Sequence, residues 1–174
     1  MSDVDQTLVT ELVERVRNRY YGKYRGTVTR VDDATLRIKA KIPAVLGTTE
    51  SGWCMACVPY AGPDVGIAFL PEQGAGVWIE FEGGDVSYPI WVGCYWREGE
   101  TPAAATGTVK AIATAEGKMT ILFDTDAGSI TVKDPSENEV TLDSSGITLK
   151  RGSSTVVISD SSVNLNDGAI EALA

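Results

Sequence analysis

Residues 119–165 read MTILFDTDAGSITVKDPSENEVTLDSSGITLKRGSSTVVISDSSVNL. A unit of apolar residue, any residue, apolar residue recurs along them: Met119-Thr120-Ile121, Ile130-Thr131-Val132, Val140-Thr141-Leu142, Ile147-Thr148-Leu149, Val156-Val157-Ile158 and Val163-Asn164-Leu165. The middle residues are 11, 10, 7, 9 and 7 positions apart. A period of two is the pattern of a strand with one apolar face. The intervening Asp126-Ala127-Gly128, Ser144-Ser145-Gly146 and Asp160-Ser161-Ser162 are turn formers. Each unit therefore reads as a very short strand with two inward apolar residues, one outward residue and a tight turn.

Such a ribbon does not stabilise itself. Two inward side chains per strand make a thin apolar strip, and a narrow meander leaves its edges unpaired and one face wet. The nearest source of a matching strip at the same spacing is another copy of the chain, and three copies around one axis close the edges over a dry core. The expected trimer core is Met119, Ile121, Ile130, Val132, Val140, Leu142, Ile147, Leu149, Val156, Ile158, Val163 and Leu165. The alternative is an ordinary antiparallel sheet lying on the rest of the chain. With a further strand at 109–114, seven strands at about 4.8 Å make a needle of roughly 34 Å.

Upstream, residues 97–107, REGETPAAATG, have no periodicity and read as a connector. Before it, period two dominates again. Leu36, Ile38, Ala40 and Ile42 alternate with Arg37, Lys39 and Lys41, and Val77, Ile79 and Phe81 alternate with Trp78, Glu80 and Glu82. Strands are predicted over 24–31, 36–42, 53–58, 77–82 and 90–96, with turns at Asp32-Asp33 and Gly83-Gly84-Asp85, the second closing a hairpin. Five strands in so short a stretch match a small closed barrel of the oligonucleotide/oligosaccharide-binding (OB) type. Residues 3–20 read as an amphipathic helix with Leu8, Val9, Leu12, Val13, Val16 and Tyr20 on one stripe, ended by Gly22. Such a stripe is expected to pack on its own domain, with a partner as the alternative. The fold class is thus all-β, arranged as an N-terminal helix (1–23), a five-stranded OB-type barrel (24–96), a linker (97–107) and an intertwined trimeric β-helix needle (108–174).

Composition narrows the function. The chain has 43% hydrophobic residues and a formal charge of -9 at pH 7, as expected for a globular protein and unfavourable to nucleic acid. Histidine is absent, which removes the commonest general base and metal ligand. No apolar run is long enough to span a membrane, and the opening MSDVDQ has no signal-peptide character, so synthesis is expected in the cytoplasm. Cys54, Cys57 and Cys94 do not make a disulfide framework and are expected to be reduced and mostly buried.

The barrel segment contains WCMACVPYAG at 53–62, FLPEQGAGVWIEFEGGD at 69–85 and YPIWVG at 88–93. Residues 24–96 resemble the barrel of the central spike proteins of contractile injection machines, a family that includes phage baseplate assembly protein V, the hub spike of large phages and the valine-glycine repeat protein G of type VI secretion. The carrying spacing is LPE-x-G-x-x-V-x-x-x-F-x-G-G-D-x-x-x-P-x-x-x-G. The resemblance implies a virion or phage-like particle as location and a structural, non-enzymatic role. In it, the helix and barrel join the tail hub protein, a trimeric needle meets the target envelope, and a separate tip protein caps the short needle. The sequence departs from the family in two places. The connector has no room for the lysozyme domain of large-phage spikes, and without histidine the His-x-His iron site of some tips is impossible.

Other chemistry reads weakly. Trp53-Cys54-Met55-Ala56-Cys57 has thioredoxin-like spacing, but a strand would send the two thiols to opposite faces. Three cysteines without histidine do not make a zinc site. Glu80/Glu82 and Asp124/Asp126 have the spacing of a glycosidase dyad and read as solvated strand faces. Gly74-Ala75-Gly76 precedes a strand, not the helix a dinucleotide site requires. Residues 22–42 carry Lys23, Arg25, Arg30, Arg37, Lys39 and Lys41 against Asp32 and Asp33, a local excess of +4. Barrels of this type bind single strands with such charge plus stacking aromatics, the alternative function. Docking of Arg25, Arg30, Arg37, Lys39 and Lys41 to an acidic hub is the preferred reading. No cofactor is expected.

Overall fold

The computed structural model describes residues 3–115 and 118–173. Residues 1, 2, 116, 117 and 174, which belong to the expected helix and needle segments, lie outside the described residues. The chain divides into two units, Met1–Gly99 and Glu100–Ala174.

The first unit is built on a hairpin. Strand β6 (Gly76–Phe81) pairs antiparallel with β7 (Pro89–Tyr95) around a turn in which Gly83 has φ 56° and Gly84 φ 77°. This Gly-Gly supplies the positive φ that a tight hairpin turn requires. Strand β1 (Tyr24–Asp32) lies against β6 and carries β2 (Arg37–Lys41) on its other edge. Asp32 ends β1 by accepting the Ala34 N–H at 3.1 Å and the Thr35 hydroxyl at 2.6 Å. The sheet order is β2-β1-β6-β7-β3, with β3 (Met55–Ala56) parallel to β7. Cys54 then bridges to Ile38 through two backbone hydrogen bonds, which joins the last strand to the first and closes the barrel.

The predicted strand at 53–58 is therefore only two residues long. The chain crosses there from the edge of β2 to the edge of β7 and pairs briefly with each. Two further elements escaped the sequence reading. Helix α2 (Pro43–Leu46) opens on Pro43 at its first turn, where a missing N–H costs nothing. A hairpin of β4 (Ala61–Gly62) and β5 (Val65–Gly66) turns through Pro63 and Asp64, the latter at φ 59°.

Val28, Ile38, Ala40, Ile42, Cys54, Val77, Ile79, Phe81 and Trp91 fill the barrel, each at most 6% exposed. Gly76 admits the close approach of β7, since a Cβ there would stand 2.8 Å from the Tyr95 carbonyl oxygen and 2.9 Å from its ring. Helix α1 (Asp3–Arg17) ends three residues before the predicted limit. Tyr20 is not on it. Its N–H donates to the Gly84 carbonyl at 2.8 Å, and its ring meets Tyr24 and Phe81.

The second unit is one eight-stranded antiparallel sheet. Its strands are β8 (Val109–Ala113), β9 (Thr120–Asp124), β10 (Ser129–Lys133), β11 (Glu139–Asp143), β12 (Gly146–Arg151), β13 (Ser154–Ile158), β14 (Ser162–Leu165) and β15 (Ile170–Leu173). Each pairs only with its neighbours in sequence. The single chain forms a meander and does not by itself form the β-helix expected of residues 108–174. The last strand was not anticipated, although Asn166-Asp167-Gly168 is a turn signal and Ile170 and Ala172 alternate with Glu171. Asp143 makes the β11–β12 turn by accepting from the Ser145 N–H at 2.7 Å and the Ser145 hydroxyl at 2.5 Å. Among the described residues of this unit, no apolar side chain is fully buried.

Candidate assembly surfaces

Cross-strand partners in an antiparallel sheet share a face. The pairings Ile112↔Ile121, Ile121↔Val132, Val132↔Val140, Val140↔Leu149, Leu149↔Val156, Val156↔Leu165 and Leu165↔Ile170 therefore make one continuous apolar column. Phe123↔Ile130, Ile130↔Leu142, Leu142↔Ile147, Ile147↔Ile158 and Ile158↔Val163 make a second beside it. Eleven of the twelve residues singled out in the sequence stand in these columns. The twelfth, Met119, stands beyond the last β9–β10 pair at the end of a groove along the first column. Phe123 occupies the place opposite Ile130, because the alternation of β9 runs on past the Met-Thr-Ile unit.

This face is uncovered in the chain: Ile130 is 38% exposed, Leu142 40% and Leu149 42%. The opposite face carries Thr131, Thr141, Thr148 and Asn164 down its centre, with Lys133, Glu139 and Lys150 in register as alternating charges. At the groove rim, Arg151 donates to Asn138 Oδ1 at 2.7 Å, and the Asn138 amide donates to Asp134 Oδ2 at 2.6 Å. The Asn138 side chain holds the Asp134 carboxyl below its ordinary pKa, aided by the N–H groups of Asn138 and Ser136.

The five basic docking candidates lie on β1 and β2, and they do not form a bare cationic patch. The guanidinium of Arg25 sits 5.5 Å from the Trp78 ring centroid and 5.6 Å from that of Tyr95. Arg30 and Lys39 both reach Glu50, at 3.5 Å each, and Lys39 also lies 5.2 Å over the Trp53 ring. In the backbone ladder Lys41 stands opposite Thr27 and, through an isolated bridge, opposite Glu50, and Arg37 stands opposite Asp32. Glu50 lies eight residues beyond the basic stretch, so local charge counting missed it. Arg97 adds a cation to the same side, donating to the Gly74 carbonyl at 3.1 Å and to Thr27 Oγ1 at 2.9 Å.

The stripe of α1 does not pack on its own barrel as expected. Leu8, Val9, Leu12 and Val13 are 52–57% exposed and Val16 is 73% exposed. Tyr20 takes the place against the barrel core, and Arg19 pairs with Asp85 at 3.2 Å, so the chain behind the helix is fastened and the helix itself is not.

The remaining candidates do not converge. Cys54 is buried and Cys57 exposed, as a strand predicts, and burial pushes the Cys54 thiol up, away from redox chemistry. Cys57 and Cys94 are exposed, contrary to the expectation of mostly buried thiols; only Cys54 points into the barrel. Glu80 lies in β6 but Glu82 lies in the turn beyond it, so they share no strand face. Asp124 accepts the N–H groups of Asp126 and Ala127 at 3.0 Å and serves the β9–β10 turn. Among the described residues no three His, Cys, Asp or Glu side chains cluster as a metal site, and no helix is long and apolar enough to cross a membrane.

Residues 24–96 match the family described as the type VI secretion system/phage-baseplate injector OB domain, and residues 110–171 match the phage baseplate V C-terminal trimerisation domain. No curated protein matches the chain. The first match assigns the barrel to an injector family and displaces the single-strand-binding reading. The second covers the sheet with the bare apolar columns. With both units assigned, the chain belongs to the phage baseplate V and type VI secretion spike family, as a structural, particle-associated baseplate component.

Proposed function

We propose that three copies of this chain form the central spike of a contractile baseplate, in a phage or phage-like particle, joining the tail hub to the tip that meets the target envelope. The observation that carries the reading is the pair of apolar columns, Ile121 to Leu165 and Phe123 to Val163, in register over the sheet and uncovered in one chain. Three such faces turned to a common axis give each the cover it lacks and convert the meander into a β-helical needle. The trimer core is then the twelve residues from Met119 to Leu165, extended by Phe123. Every strand is tied by backbone hydrogen bonds to the next, so the rod has no weak plane along its axis.

The role is mechanical and needs no catalysis. The barrel, through Arg25, Arg30, Arg37, Lys39 and Lys41, faces an acidic surface of the hub, and a separate tip protein caps the far end of the needle. Light scattering tests the central claim: three chains of 18.5 kDa should give about 56 kDa, concentration-independent at micromolar protein. A folded monomer would overturn it. Peptidoglycan incubated with the protein should release no soluble fragments. Release abolished by Glu80→Gln would overturn the non-catalytic reading.

A further inference from the structure

Helix α1 lies outside both family matches, which begin at residues 24 and 110, and its apolar side is more than half exposed in its own unit. At 15 residues it is too short to be a firm helix in water by propensity alone, since isolated helices below ~12–15 residues are marginal. Its stability has to come from cover over Leu8, Val9, Leu12, Val13 and Val16.

The shape of the stripe indicates what covers it. At about 100° per residue these five side chains span roughly 140° of the helix circumference. That is wider than the two-position seam of a helix pair and suits a helix that touches two neighbours at once. Glu11, Glu14 and Arg17 fall on the remaining arc of the helix, outside the span of these five residues. Copies joined through residues 110–171 hold their α1 helices at an effective concentration on the order of millimolar. A second copy is thus the most available partner, and it brings a matching stripe.

We infer that the three α1 helices of the assembly pack against one another through Leu8, Val9, Leu12, Val13 and Val16, giving the spike a second self-association site at its N-terminal end. This rests on the trimeric reading above, and the test separates the two. In full-length protein with Cys57 and Cys94 replaced by Ser, Val16→Cys is treated with a short bismaleimide, and the parallel variant Glu14→Cys serves as the control on the opposite side. Covalent dimer from Val16→Cys on a denaturing gel, the largest product that one linker and one accessible cysteine per chain allow, and its loss in Glu14→Cys are expected. Amide exchange gives an independent reading: Leu12→Glu should remove protection from residues 6–17 while the mass by light scattering stays trimeric. A trimeric mass with no Val16→Cys cross-linking, or with α1 protection untouched by Leu12→Glu, would overturn the helix contact and leave the needle standing, assigning the stripe to another protein such as the hub. A monomeric mass would overturn both.

Discussion

The barrel, antiparallel but for the short β3–β7 pair, and the C-terminal antiparallel sheet are both built from strand ladders and opposite in what they bury. In the barrel, curvature closes the sheet on itself through the Cys54–Ile38 bridge, so that Val28, Ile38, Ala40, Ile42, Val77 and Ile79 are 0–2% exposed. In the eight-stranded sheet the apolar residues are no fewer and align in two unbroken columns, yet several remain 37–42% exposed. Backbone pairing sets the register in both. Only closure removes apolar surface from water, and burial is the larger stabilising contribution. A sheet that does not close within one chain must obtain its cover from others, and its stability then depends on their concentration.

The strongest way to break this contrast is Leu142→Ala. With its side chain in the trimer core the substitution should cost about 2–5 kcal/mol per chain, hence roughly 6–15 kcal/mol per trimer, and should make the melting of the C-terminal unit depend more steeply on protein concentration. Calorimetry of the full chain over a tenfold range of concentration checks it. A melting temperature that ignores concentration would mean the sheet is covered within the chain.

Ile79→Ala in the barrel sharpens the other side. Ile79 is 0% exposed, so the loss should again be about 2–5 kcal/mol, but counted once per chain and without concentration dependence in the barrel transition.

Thr141→Ala is the internal control. Thr141 stands in the same strand as Leu142 on the opposite face, and its replacement should stay near ~0.5 kcal/mol. Equal damage from Thr141→Ala and Leu142→Ala would refute the assignment of inward and outward faces.

The smallest effect expected is that of acid on the turns. The Ser145 hydroxyl and N–H hold the Asp143 carboxyl below its ordinary value of 3.8, and Asn138 does the same for Asp134. Folded values below the unfolded ones mean a contribution that is fully present above about pH 4 and lost as the pH falls through the folded values. Chemical denaturation of the C-terminal unit at pH 5 and pH 3 should show the decline, and Asp143→Asn should reduce it. No decline between these pH values would show that these carboxylates do not contribute.

Much was legible in the sequence because period two is a local property. The strands at 24–31 and 77–82, the Gly83-Gly84 hairpin and five of the six apolar units of 119–165 follow from side-chain alternation and turn chemistry that neighbouring residues impose on each other, while the first is displaced from Met119-Thr120-Ile121 to Ile121-Leu122-Phe123. The errors fall where pairing is not local. A strand at 53–58 was expected from its composition, but the gap between β2 and β7 left room for Met55–Ala56 alone. Tyr20 fits the helical period and was drawn off it by Phe81 and the Gly84 carbonyl, more than sixty residues away. Glu50 was invisible as a partner of Arg30 and Lys39 for the same reason.

By itself, then, the sequence determined which residues alternate, where the chain turns and that residues 119–165 carry more apolar surface than they can cover. Tertiary structure alone decided which strands meet, that Phe123 stands opposite Ile130, that Arg25, Arg30 and Lys39 have partners within the barrel and that the stripe of α1 is left bare. The division has a physical cause. Alternation and turns are fixed by steric and hydrogen-bonding terms acting over a few residues, whereas register, ion pairing and exposure depend on which distant segments the closing of the barrel brings together.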